Sequence, residues 1–159
     1  MNVNPLWLAV AGAGGLAAYQ LDQIARVILV EVGPGPADGG ITLDEEAAGV
    51  ARCVLNRARA WSMLPSQVIR IERGQGHPVW TLRLERYLAG RGKRGPGSRG
   101  YPWALARAAG AASGLEGLSI GRRQNFVHLG NSWFTDHPPP EWSKINPLVV
   151  GRTTFAGTP

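Results

Sequence analysis

Glu31 stands three residues after Ile28 on a stripe that begins with Leu21 and Ile24. The steps of three, four and three put all four side chains on one face of a helix. A carboxyl on such a face loses part of its water. Desolvation disfavours the charged form, and a glutamic acid held protonated this way can donate a proton to a leaving group. The competing reading is a surface glutamate near a helix end, a common placement that needs no chemistry.

The elements that would position this acid follow from periodicity. A helix over about Leu21 to Val32 must stop at the run Gly33-Pro34-Gly35-Pro36, because proline removes a donor and clashes with the preceding turn. Thr42 and Glu45 form a capping-box pattern, and Ala47, Val50, Ala51, Val54, Leu55, Ala58 and Trp61 recur at helical spacing behind it. Trp61 on that face is expected in the core, and so is the lone Cys53. Shorter helices are predicted at Pro65 to Ile71 and Val79 to Leu88, and another from Pro102 towards Gly114. Residues Asn125 to Leu129 and Leu148 to Phe155 are richer in Val, Phe and Thr and read as short strands. The fold class expected is α+β, mainly α, with a small C-terminal β element.

Bulk properties narrow the field. The 159 residues suffice for one domain with its own core, expected over 20–159 after an apolar segment at 1–19. One cysteine excludes an intrachain disulfide, and His77, His128 and His137 lack the close spacing of metal ligands, so neither metal nor cofactor is expected. A net charge of +6 implies a polyanionic partner. The densest basic run, Arg91 to Arg99, is glycine-rich and reads as a loop tip without any nucleic-acid-binding motif. Pro5 to Tyr19 is apolar yet too short for an ordinary membrane span, and Met1 to Asn4 carry no basic residue of a standard secretory signal. A packed helix or a docking segment is favoured for it over a weak membrane anchor.

Three segments, in order, resemble the SleB-type cell wall hydrolases, a family of peptidoglycan-cleaving domains. ARVILVEVG (Ala25 to Gly33) is similar to the family's glutamate-ending helix. AAGVARCVLNRARAW (Ala47 to Trp61), with Leu64-Pro65-Ser66-Gln67-Val68-Ile69 after it, is similar to the helix that closes in VLNR. FVHLGNSWF (Phe126 to Phe134), Pro140-Glu141-Trp142 and VVGRTTFAG (Val149 to Gly157) resemble its C-terminal strands. VLNR is the most specific of these matches. The chain departs from the family where a second glutamate is common, since Gly35 stands there, and where Gly74 to Trp80 replaces a Phe-Ser type element.

The resemblance implies a lysozyme-like, lytic-transglycosylase-like domain that cuts glycan between N-acetylmuramic acid and N-acetylglucosamine, with Glu31 as catalytic acid. Many such domains are lytic transglycosylases. One glutamate then protonates the leaving oxygen and afterwards, as carboxylate, takes the proton from the muramic hydroxyl that closes onto the anomeric carbon. A water-using muramidase would more often need a second carboxylate, for which Asp38, Asp44, Glu45 and Glu46 are candidates, although they read better as capping, first-turn or loop acids. Sugar faces need aromatic platforms and polar edges, so Trp80, Tyr101, Trp133 and Trp142, with Gln75, His128 and Asn131, are the expected substrate-binding residues. The partner expected is peptidoglycan, with delivery by a holin, a virion or a contractile machine and a hub contact through the N-terminal segment. The alternative is a wall-binding or structural part of a phage tail or injection device that does not cut.

Overall fold

The computed structural model describes residues 16–33, 43–74, 99–128 and 144–157. Four helices are described: α1 (Leu16–Glu31), α2 (Leu43–Ala60), α3 (Pro65–Gly74) and α4 (Tyr101–Ala112). A short 3₁₀ turn (Leu118–Ile120) leads into β1 (Asn125–His128), and β2 (Leu148–Val150) and β3 (Thr153–Ala156) form a hairpin. The strands make one antiparallel sheet in the order β1-β3-β2, with Phe126 opposite Phe155 and Leu148 opposite the same Phe155. A mainly helical α+β architecture with a small three-stranded sheet is therefore what this sequence adopts.

The stripe read from the sequence is the buried face of α1. Leu21, Ile24, Ile28 and their neighbours Ala25, Val27 and Leu29 are buried against Val50, Ala51 and Val54 of α2 and Ile69 of α3. α1 begins at Leu16, five residues earlier than predicted, and runs without a break through the 19/20 boundary expected for the domain. Its last turn closes through the amide of Val32 on the carbonyl of Ile28, and Gly33 follows at φ +94°, a conformation that an L side chain rarely adopts.

α4 packs against both α1 and α2 through Ala104, Ala108 and Ala111. Methyl-sized side chains at steps of four and three let three helices approach closely around one seam. The sheet joins this body through Phe155, which is fully buried beside Gly49 of α2. A Cβ at Gly49 would lie 2.6 Å from the Phe155 ring, so a mid-helix glycine, worth about 1 kcal/mol less than alanine in helix propensity, makes room for the aromatic anchor of the sheet. Burying that phenylalanine contributes roughly 1.5 to 3 kcal/mol.

Two expectations need correction or a boundary. Trp61 is not core: it is 41% exposed in the turn after α2, with the Arg57 guanidinium stacked 5.7 Å from its ring centroid. The apolar face of α2 ends at Ala58, and Trp61 falls where the helix has already turned to solvent. The helix expected at Val79 to Leu88 and Thr42 of the capping box lie outside the described residues.

Candidate functional site

Glu31 is the last residue of α1 and is half-buried, one turn after Ile28, which is fully buried. The acid therefore sits where the apolar face meets solvent. No described carboxylate other than Glu31 has that placement at the C-terminal end of a long packed helix.

Tyr101 takes a different place from the one a sugar platform near Glu31 would need. Its hydroxyl donates to Oδ1 of Asp22 at 2.5 Å, while Nε of Arg26 donates to Oδ2 of the same carboxylate at 2.8 Å. Asp22 precedes Glu31 by nine residues, about 13 Å along the helix axis at 1.5 Å per residue. Tyr101 ties the start of α4 to the first half of α1. Burial, and then the Asp22 carboxylate beside it, push its phenol up to about 12.

His128 ends β1 opposite Thr153. Gln75, Trp80, Asn131, Trp133 and Trp142 lie outside the described residues. Of the expected site, Glu31, Tyr101 and the backbone of His128 are thus placed, and Tyr101 is not brought to Glu31.

The VLNR residues turn out to be joinery. Nδ2 of Asn56 donates to the carbonyls of Gly121 and Arg123, each at 2.8 Å, and Arg57 donates to Oδ1 of Asn125 in β1. Arg52, one turn earlier, donates to the carbonyl of Glu116 at 3.0 Å. These side chains bind the loop before the sheet to α2. Cys53, expected as core, is buried among them, and burial pushes its thiol up to about 12, which leaves it unreactive at neutral pH.

Glu46, read from the sequence as a candidate second carboxylate or a first-turn acid, is instead a buried joint. It is only 2% exposed, accepts 2.5 Å from Oγ1 of Thr153 and 3.2 Å from the amide of Arg152, and thereby holds the β2–β3 turn against α2. Gly151 in that turn has φ +59°, and a Cβ there would come within 2.6 Å of Oε2 of Glu46. Its position four residues before Val50 was the available signal, since that step places it on the buried face. Beside it a shallow groove runs between the start of α2 and the hairpin, lined by Asp44, Glu45, Ser119, Leu148, Val149, Val150 and Gly151.

The acids of this groove are engaged. Glu45 accepts from Oγ of Ser119 at 2.7 Å, and Asp44 accepts from the Trp103 indole at 2.5 Å and pairs with Arg107 at 3.1 Å. Arg107 also reaches Glu116 at 3.3 Å. Among the described residues no group of three or more His, Cys, Asp or Glu side chains could hold a metal ion. Comparison of the chain with protein-family models, with curated proteins and with solved structures found no match.

Proposed function

We propose that this chain cleaves the glycan strand of bacterial peptidoglycan between N-acetylmuramic acid and N-acetylglucosamine, as a lytic transglycosylase of lysozyme-like fold with Glu31 as its single catalytic acid. The observation that carries the reading is the half-buried Glu31 closing the packed helix α1, in the segment whose sequence resembles the glutamate helix of the SleB-type hydrolases. A helical body with a three-stranded antiparallel sheet attached to it is in keeping with that fold.

The chemistry needs one group that gives a proton and takes one back. Glu31 protonates the glycosidic oxygen as the bond to the anomeric carbon breaks, then accepts the proton of the muramic hydroxymethyl group as its oxygen closes onto that carbon. No water enters the products. The state of the other acids supports the one-glutamate route: Asp44, Glu45 and Glu46 each already accept a hydrogen bond that organises α2, α4 or the hairpin.

Release of soluble fragments from purified sacculi tests this directly. Glu31→Gln is expected to lower release by at least about a hundredfold, the usual contribution of a general acid, with an unchanged circular dichroism spectrum. Anhydro-muramyl ends in the mass spectrum of the products identify the transglycosylase, and reducing ends a hydrolase. Full activity of Glu31→Gln would remove the acid assignment. Sacculus binding by the natural chain with no fragment released would leave a wall-binding component in its place.

A further inference from the structure

The end of the molecule where α1 begins and α2 gives way to α3 carries an exposed apolar and aromatic surface. Tyr19 is 43% exposed, Trp61 41%, Met63 38% and Leu64 40%. Hydrogen bonds bring the segments that carry them together. The Tyr19 hydroxyl accepts from Arg70 of α3 at 2.8 Å, and Oε1 of Gln20 accepts from the amide of Ser66 at 2.8 Å, so the start of α1 lies against the start of α3. Leu64 caps that same start, its carbonyl accepting from the amides of Gln67 and Val68. The amide of Met63 closes on the carbonyl of Ala58, which folds the Trp61–Leu64 turn back over the end of α2.

The described charged side chains beside these residues are arginines, and Asp22, the carboxylate nearest in sequence to Tyr19, is taken up by Arg26 and Tyr101. Arg57 stacks over Trp61, Arg70 bonds Tyr19, and Arg59 is exposed beside them. Residues 1–21 and 57–71 contain no aspartate or glutamate. An exposed tryptophan with adjoining aliphatic side chains suits the boundary between headgroups and acyl chains, and guanidinium groups pair with phosphate oxygens at that depth. In the sequence, α1 is preceded by an apolar run that starts at Pro5 and includes Trp7 and Leu8.

We infer that this face, centred on Trp61, Met63, Leu64 and Tyr19 with Arg59 and Arg70, docks on the headgroup surface of an anionic lipid membrane. Stable but reversible attachment to a membrane surface takes two signals, apolar insertion and electrostatic attraction. Among the described residues no helix is long and apolar enough to cross a membrane. The inference stands apart from glycan cleavage, because none of these side chains belongs to the Glu31 end of α1.

Co-sedimentation of the full chain with vesicles tests it. Phosphatidylcholine vesicles containing phosphatidylglycerol should take up the protein roughly tenfold more strongly than phosphatidylcholine alone, and added salt should erode the difference. The triple variant Trp61→Ser, Met63→Ser, Leu64→Ser should lose about tenfold in binding to the anionic vesicles with an unchanged circular dichroism spectrum. Arg59→Ser should lose roughly fivefold. Equal uptake by both vesicle types, or unchanged uptake by the triple variant, overturns the proposal. So does loss of binding in Trp7→Ser, Leu8→Ser with the triple variant unaffected, which would assign attachment to the N-terminal run alone. Self-association abolished by the triple variant, without vesicle binding by the natural chain, would assign the face to a second copy and overturn it equally.

Discussion

Glu46 of α2 and Glu116 of the loop after α4 give up water, the first almost wholly and the second in part, and they do so on different terms. Glu46 meets the hydroxyl of Thr153 and the amide of Arg152, donors fixed by the β2–β3 hairpin they belong to. Glu116 has one oxygen 3.3 Å from Arg107, a guanidinium it shares with Asp44, while its Oε2 is buried with no hydrogen-bond partner among the described residues. The Nε atoms of Arg52 and Arg107 are unpartnered in the same way. Desolvation raises the Glu116 carboxyl above its usual value, Arg107 pulls it down and Asp44 pushes it up. A carboxylate drawn out of water is thus a fixture where backbone and hydroxyl donors surround it, and a cost where one shared cation does.

The strongest way to break this contrast is Glu46→Ala. It leaves the Thr153 hydroxyl and the Arg152 amide without their acceptor and is expected to cost about 3 kcal/mol in urea unfolding. A loss under about 1 kcal/mol would mean that the hairpin does not depend on the carboxylate. Gly151→Ala attacks the same joint from the other side, combining a positive φ with a 2.6 Å approach to Glu46, for about 1 to 2 kcal/mol.

Tyr101→Phe removes one charge-assisted bond to Asp22 and should cost about 1 kcal/mol at neutral pH. Because the folded phenol is raised to about 12 from 10, its contribution is complete below pH 10 and fades as pH climbs towards 12. The natural chain should therefore lose more stability across that interval than Tyr101→Phe does. Equal losses would show that the bond does not couple to the titration.

The smallest effect belongs to Glu116→Gln, below about 1 kcal/mol at pH 7, since the lost attraction to Arg107 offsets the relieved desolvation. Its signature is the slope. A carboxyl raised in the folded state binds its proton more tightly there than in the unfolded chain, so its contribution is complete below pH 4.5 and is lost as pH rises through the folded value. Stability followed from pH 4 upward should fall more for the natural chain than for Glu116→Gln. A reversed difference would mean that the attraction of Arg107 outweighs the desolvation of Glu116.

Much of the helical body was legible because its spacing is clean. Ala47, Val50, Ala51, Val54 and Ala58 predicted a helix that runs Leu43–Ala60, and Val and Thr enrichment marked the sheet, with Arg152 the turn inside what read as one strand. Trp61 was misread because a periodic pattern does not announce where its helix leaves the core. The role of Glu46 was misread because an acid in a first turn has a ready local explanation in the helix dipole, and its partners lie more than a hundred residues away. For the site, Glu31 was visible as a polar member of an apolar stripe. The bond of Tyr101 to Asp22 was not, since nothing local links residues 79 apart.

Those long spans set a schedule for synthesis. Asn56 waits 65 residues for Gly121, Arg57 waits 68 for Asn125, and Glu46 waits 107 for Thr153. At roughly 5 to 20 residues per second, a nascent chain carries α2 for some 5 to 20 seconds before the donors for its inward-facing acid are made. A ribosome stalled short of β3 would release helices whose polar seam has nothing to close on, a natural target for chaperones and proteases.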